Sequence, residues 1–110
     1  MSEEVFITEN AIIIDCYVFI NDLNILDFCL LLKYKTGQQG LTGIALYSPT
    51  CKRDVGGYFI YKILSICDAK SCKEAIGKTV RVVHNYSKIY AIKHIIEDKC
   101  FIPEKDLKND

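Results

Sequence analysis

Two apolar segments near the start of the chain have the composition of paired β-strands. Residues 9–21 are dense in β-branched and aromatic side chains, and residues 26–34 form a second apolar run,. Between them, Asn21-Asp22-Leu23-Asn24 has the residue types of a tight turn,. We therefore predict an antiparallel hairpin.

A third strand is predicted after a glycine-containing turn. Residues 37–40 read Gly-Gln-Gln-Gly, which is typical of a turn,. Residues 41–47 return to an apolar pattern that ends before Ser48-Pro49-Thr50. The pattern thus predicts a three-stranded meander.

The spacing of apolar residues becomes helical in the middle of the chain. Asp54 is placed to cap a helix, and one helical face follows, formed by Tyr58, Phe59, Tyr61, Ile63, Leu64 and Ile66,. The sequence Ser71-Cys72-Lys73-Glu74 has the capping-box pattern,. It predicts a short second helix that runs to Ile76 and stops at Gly77.

Two further strands are predicted at residues 79–86 and 89–95, joined by a turn,. In the first of them Val80 and Val82 share one face and Arg81 lies on the other,. The pattern predicts a single α+β domain over residues 1–110, with an antiparallel sheet of about five strands, one main helix and one short helix,. Residues 104–110 are predicted to be a frayed polar tail.

The amino-acid composition and net charge exclude some classes of binding partner. The chain is 50% hydrophobic and 25% charged, which is typical of a globular protein,. Fourteen basic and fourteen acidic residues balance to a net charge of zero, so broad attraction to a DNA or RNA duplex is not expected,. No apolar run reaches membrane-span length, and the N-terminus is acidic where a signal peptide is basic,. A cytoplasmic protein without a membrane partner is predicted.

The six cysteines are predicted to be buried free thiols, because the chain has ample hydrophobic residues and no secretory signal. They stand at positions 16, 29, 51, 67, 72 and 100. A zinc site from Cys67, Cys72, His84 and His94 is the weaker alternative, because the histidines are ten residues apart and no second close cysteine pair exists,. No bound metal is therefore expected.

Sequence motifs of common catalytic sites are absent. The chain has no Gly-x-Ser-x-Gly elbow, no phosphate-binding loop and no dinucleotide-binding glycine fingerprint,. Binding suits the residue types better than catalysis, and no cofactor is expected. The two arginines, Arg53 and Arg81, are suited to bidentate recognition of phosphate,. The alternative for each is an ordinary solvent-facing charge.

Three short motifs occur in an order that resembles a known family. Asp54-Val55-Gly56-Gly57 opens the helix, Gly77-Lys78-Thr79-Val80-Arg81-Val82 begins a strand, and His94-Ile95 leads into Asp98-Lys99-Cys100-Phe101. Over about the last two-thirds of the chain, this order resembles phage and prophage proteins of the Thoeris anti-defence one family. The resemblance implies a sponge that sequesters cyclic ADP-ribose isomers, or related cyclic nucleotides, in the host bacterial cytoplasm. It also implies a homodimer or higher homo-oligomer with pockets near the subunit interface.

The resemblance also suggests which residues contact the ligand. These are Arg53, Arg81, His94, Asp98 and Phe101, together with Gln39 and Gly40 of the glycine-containing segment. Two departures weaken the match, since Leu41 and Cys100 stand where the family has aromatic residues. If the resemblance is set aside, His94 is interpreted as a hydrogen-bonded residue of a strand or of the core, and Phe101 as an ordinary core residue. The glycines are then interpreted as part of a hairpin turn.

Two other functions remain open from the sequence. The first is a small enzyme that cleaves the signal, in which His94 acts as general acid or base and Asp98 orients it. The second is a phage protein that binds a host protein through its sheet edge or an apolar surface.

Overall fold

A computed structural model of the protein describes residues 5–42, 44–50, 53–85 and 88–103, with the backbone alone for Arg53. These residues form an antiparallel sheet of eight strands and two helices, which confirms the predicted α+β class. The strands are β1 (Ile7–Ile20), β2 (Leu26–Tyr34), β3 (Gly37–Leu41), β4 (Tyr47–Ser48), β5 (Arg53–Asp54), β6 (Thr79–His84), β7 (Ile89–Lys93) and β8 (Cys100–Phe101). The helices are α1 (Gly56–Cys67) and α2 (Cys72–Ala75). The predicted tail at 104–110 lies outside the described residues.

The strand order across the sheet is β5-β4-β2-β1-β6-β7-β8, with β3 also paired to β2. The predicted hairpin is confirmed as β1 and β2, whose register shifts between Ile13 and Asp15. Such a bulge bends the strand and increases its twist. The sheet curls far enough for β3 to approach β7.

The predicted turn at residues 37–40 is wrong. The chain turns at Lys35 and Thr36 instead, and residues 37–41 form β3 along the second half of β2. Neither Gly37 nor Gly40 has the positive φ that would require glycine,. The predicted strand at 41–47 is also wrong, since of its described residues only the two ends lie in strands, Leu41 in β3 and Tyr47 in β4.

The two predicted helices are confirmed, but the cap of the first is not. Asp54 lies in β5 opposite Tyr47, and Val55 precedes α1 without a side-chain cap. The capping box at α2 is present, because the Glu74 amide donates to Ser71 Oγ at 3.1 Å. Helix α2 ends at Ala75, one residue before the predicted end.

The core lies between α1 and one face of the sheet. Phe59 of α1 packs edge-on against Phe28 and Phe101, with ring centroids 4.9 and 5.5 Å apart. The sheet face toward α1, here called the inner face, also buries Ala11, Ile13, Leu32, Val80 and Val82. The alternate residues Asn10, Ile12, Lys33, Thr79 and Arg81 are exposed on the outer face, as the two-residue period of a strand requires,.

Five cysteines are described, and all are free thiols. Cys16 and Cys67 are buried as predicted, whereas Cys29 and Cys72 are half-buried and Cys100 is exposed. Burial raises the pKa of the Cys67 thiol to about 12. Cys51 lies outside the described residues.

Candidate functional site

A groove of about 490 Å³ lies on the outer face, where β1, β2 and β6 run side by side. Its lining residues are Asn10, Ala11, Ile12, Lys33, Tyr34, Lys35 and Thr79. The volume lies within the range of roughly 300–1,000 Å³ that is usual for small-molecule sites. The groove is therefore large enough for a ligand of nucleotide size.

The strand register places further positive charge beside the groove. Asn10 of β1 is opposite Arg81 of β6, and Arg81 is opposite Lys93 of β7. With Lys33 and Lys35, this gives four basic residues at or beside one groove. Within the part of the chain that the structure describes, none of the four forms a salt bridge, and Lys35 acts on the nearby Glu9 carboxylate only at longer range. The groove is thus suited to an anion.

The groove also offers uncharged groups. The Asn10 amide and the Thr79 hydroxyl can bond to hydroxyls or base edges, and Ile12, which is 49% exposed, supplies an apolar surface,. Cations, polar groups and an apolar side chain together match the chemistry of a nucleotide, which combines phosphates, hydroxyls and a flat base.

A polar cluster around the buried His84 holds one end of the groove in place. His84 is fully buried and donates from Nε2 to Glu9 Oε2 at 2.7 Å, and Glu9 also accepts from Thr36 Oγ1 at 2.8 Å. The Tyr34 ring stacks on His84 at 4.2 Å. The bond from Thr36 holds the pKa of Glu9 below its ordinary value, and the bond from His84 acts in the same direction. Because Glu9 precedes Asn10 and Thr36 follows Lys35, the cluster ties down two lining residues.

The structure brings only one of the predicted site residues to the groove. Arg81 lies beside it on the outer face. Gln39 is half-buried on β3, where its side chain accepts a hydrogen bond from the Tyr34 hydroxyl, and Gly40 lies opposite Leu31. Arg53 is in β5, with β4, β2 and β1 between it and β6 in the sheet. The two arginines therefore do not converge along the sheet of one chain.

Phe101 is placed in the core rather than at the groove. Its side chain is fully buried, and its ring packs against Phe59 and Tyr58. Asp98 is exposed in the bend that follows β7. Neither residue lines the groove.

His94 is an organising residue of the loop after β7. Its Nε2 donates to Asp68 Oδ2 at 2.5 Å, at the end of α1. Its Nδ1 accepts from the amides of Ile96 and Glu97, at 3.0 and 2.8 Å. These bonds also explain why β7 ends at Lys93 and not at the predicted Ile95, since the chain folds back onto the imidazole.

The hydrogen bonds of His94 bear on the cleavage hypothesis. Both ring nitrogens have partners, so no nitrogen faces a substrate in this arrangement. The carboxylates near Nε2 are those of Asp68 at 2.5 Å and Glu97 at 3.7 Å, and the expected orienting residue Asp98 is not among them. The geometry therefore does not present the pair on which that hypothesis depends.

The same loop contributes to a cluster of side chains whose oxygen and nitrogen atoms are spaced as in a metal-binding site. Asp68, His94 and Glu97 offer ligand atoms within 4.8 Å of one another. The cluster does not fit a cation, because Nδ1 accepts two amide hydrogens and the ring proton must then occupy Nε2,. Lys99 Nζ also lies 2.9 Å from Glu97 Oε2 and supplies the positive charge. The zinc alternative is likewise not supported, because it needs His94 as a ligand and both ring nitrogens of His94 already form hydrogen bonds.

Asp68 is expected to contribute to the acid sensitivity of the fold. The hydrogen bond from His94 holds the pKa of Asp68 below its ordinary 3.8. A lowered pKa in the folded state means that the stabilisation is present above 3.8 and is lost as the pH falls below it,. We expect Asp68→Asn to flatten the acid side of the curve of melting temperature against pH.

Asp98→Asn is the matched control, since it removes an exposed carboxylate from the same loop region. Its curve should run parallel to that of the unaltered protein. Parallel curves for both variants would show that the contact between Asp68 and His94 does not contribute to acid unfolding.

No helix among the described residues is long and apolar enough to cross a bilayer. Comparison of the chain with protein-family models, curated proteins and solved structures gives no match. The resemblance to the Thoeris anti-defence one family therefore rests on the short motifs quoted above, and the functional argument rests on the outer-face groove.

Proposed function

We propose that the protein binds and sequesters a small anionic nucleotide, with a cyclic ADP-ribose isomer as the leading candidate. The observation that carries this proposal is the outer-face groove, which has a nucleotide-sized volume and four basic residues at or beside it. The motif resemblance supports the same class of ligand. As a phage-encoded sponge in the host cytoplasm, the protein would keep an immune effector inactive by withholding its signal.

The arrangement of charge suits a diphosphate. Lys33 and Lys35 reach the groove from the end of β2, and Arg81 stands across from Asn10 on the neighbouring strand. The chain as a whole has no net charge, so a general attraction to polyanions is not expected,. A local cationic site selects a small anion over a long nucleic-acid backbone, which needs an extended basic surface.

Sequestration requires tight binding without turnover. Each copy of a sponge handles one molecule, so its affinity should be near nanomolar, or about −12 kcal/mol. An enzyme gains nothing in rate from holding substrate and transition state equally tightly. Both ring nitrogens of His94 already form hydrogen bonds, which favours sequestration over catalysis by this residue.

The decisive experiment measures the fate of the ligand. The protein is incubated with excess cyclic ADP-ribose isomer, separated from free ligand, denatured, and the released compound is quantified by mass spectrometry. We expect recovery of the intact cyclic compound at a fixed ratio to protein. Conversion of many equivalents per chain to a linear product would instead favour the cleavage enzyme.

The absence of both binding and turnover would contradict both nucleotide hypotheses. It would favour an interaction protein that binds a host protein. The groove does not show which linkage isomer it would bind, so the same assay is repeated with a panel of other cyclic nucleotides. Binding of another member of the panel would mean that the ligand is a different cyclic nucleotide, whereas no binding at all would mean that the protein does not bind this class of ligand.

A further inference from the structure

Three of the described cysteines meet where α2 packs against β1 and the end of α1. Cys16 is buried on the inner face of β1, opposite Leu30. Cys67 is the last residue of α1, and Cys72 is the first residue of α2. Cys16 and Cys67 belong to one hydrophobic core, and Cys72 packs against it. The three thiols are therefore brought together by the tertiary structure.

Main-chain hydrogen bonds hold α2 beside β1. The Gly77 amide donates to the Ile13 carbonyl at 2.7 Å, and the Ile13 amide donates to the Lys78 carbonyl at 2.9 Å. This joint lies just after α2 in the chain, and Cys16 follows Ile13 closely along β1. Cys16 and Cys72 thus occupy fixed positions on two elements that are bonded to each other.

The thiols of Cys16 and Cys72 are neighbours. Burial raises the pKa of the Cys16 thiol, and an interaction with the Cys72 side chain raises it further. Cys67 interacts with these two thiols only electrostatically, which acts at longer range. Cys16 and Cys72 are therefore the closest pair among the three.

The three thiols differ in their access to solvent. Cys16 and Cys67 are only 5% and 3% exposed, whereas Cys72 is half-buried. A reagent from solution therefore reaches Cys72 first, and Cys16 lies behind it. An accessible thiol with a second thiol beside it is the arrangement in which oxidation ends in a disulfide.

We propose that Cys72 and Cys16 form a site of reversible oxidation, at which hydrogen peroxide converts the two thiols into an intramolecular disulfide. In the first step the Cys72 sulfur attacks a peroxide oxygen, the O–O bond breaks, and Cys72 sulfenic acid and water form. In the second step the Cys16 sulfur attacks the Cys72 sulfur and the S–O bond breaks. The hydroxyl leaves with the Cys16 proton as a second water. The two thiols together lose two electrons, and the peroxide gains them.

The disulfide joins β1 to α2 and closes a loop of roughly 55 residues,. A crosslink over a long loop stabilises a fold by restricting the unfolded chain. Because α2 and β1 are already bonded to each other, we expect oxidation to raise the melting temperature by on the order of 10 °C,. The inference does not depend on the proposed ligand, since neither thiol lines the groove.

The test counts the free thiols and maps the disulfide. Dilute protein is treated with hydrogen peroxide, denatured, alkylated and weighed by mass spectrometry. The untreated chain should carry six alkyl groups, one for each cysteine, and the oxidised chain two fewer. Protease digestion should release a pair of peptides in which Cys16 is joined to Cys72, and dithiothreitol should separate them.

Single substitutions identify the two thiols independently of the peptide map. Cys72→Ser and Cys16→Ala should each abolish the disulfide and the rise in melting temperature. Cys100→Ser is the matched control, because Cys100 is an exposed thiol on β8, and it should form the disulfide as the unaltered protein does. Melting temperatures before oxidation show whether each variant is folded, and the peptide map of the unaltered protein does not depend on them.

Several results would overturn the proposal. One is a full set of free thiols after peroxide treatment. Another is a disulfide between Cys72 and Cys67, or one that joins two chains through Cys100. Oxidation of Cys72 to sulfinic acid while Cys16 stays free would also contradict it, because the second thiol would then have failed to react with the first.

Discussion

Replacement of Phe101 with alanine is expected to lower the free energy of unfolding by about 3–5 kcal/mol. The side chain is fully buried and packs edge-on against two aromatic rings of α1, those of Phe59 and Tyr58. Its removal leaves a cavity at the contact between the helix and the sheet, in addition to the lost burial of apolar area. Denaturant unfolding followed by circular dichroism measures this change.

Tyr61→Ala is the matched control for aromatic truncation, since Tyr61 is 70% exposed on the same helix. It should change stability by less than about 1 kcal/mol. The experiment also separates the two interpretations of Phe101 that the sequence left open. If Phe101→Ala has ordinary stability but loses ligand, Phe101 belongs to the binding site and its assignment to the core is wrong.

The fold class could be predicted because the longest elements follow local rules. Strands β1 and β2 are long runs of β-branched and aromatic residues with turn residues between them, and α1 has the period of a helix. In these segments the local secondary-structure propensity agrees with the tertiary packing, so the pattern of apolar residues is enough to predict the element. The Ser71 cap of α2 is likewise a local interaction between residues three positions apart.

The short strands could not be predicted in the same way. Strands β4, β5 and β8 have two residues each, and they exist only because a neighbouring strand is there to pair with them. Residues 37–41 have two glycines and two glutamines, so their composition indicates a turn, but pairing with β2 overrides that preference,. Local propensity does not contain this information.

The candidate site was beyond sequence reasoning for a related reason. Residue type and the motif resemblance predict Arg81, whereas its neighbours in the groove come from β1 and β2 through the strand register. The partner of His94 proved to be Asp68, which is 26 positions away, and not the nearby Asp98. Sites built from cross-strand neighbours become visible only when the register is known.

Arg81→Ala is expected to weaken binding of the cyclic nucleotide while the fold remains intact. A charge-assisted contact to phosphate contributes about 1.5–3 kcal/mol, which corresponds to roughly ten- to a hundredfold in affinity. Lys33→Ala should have an effect of the same order, because Lys33 lines the groove directly. Titration calorimetry on the two variants, with melting temperatures to confirm folding, measures both effects.

The control is Lys62→Ala, which removes one positive charge from α1, on the opposite side of the sheet. It should bind as the unaltered protein does. Equal losses in all three variants would indicate general charge attraction rather than a site, and unchanged affinity in folded Arg81→Ala would remove Arg81 from the site.

The double variant Lys33→Ala/Arg81→Ala then tests whether the two residues hold the same group. If they bind separate phosphates, the two free-energy losses should add to about 3–6 kcal/mol, since independent contacts are additive. If both contact one phosphate, the loss in the double variant should fall short of that sum, because removal of one partner already releases the group from the other. Either result supports a two-cation site on the outer face, and the size of the shortfall measures how closely the ligand brings the two side chains together.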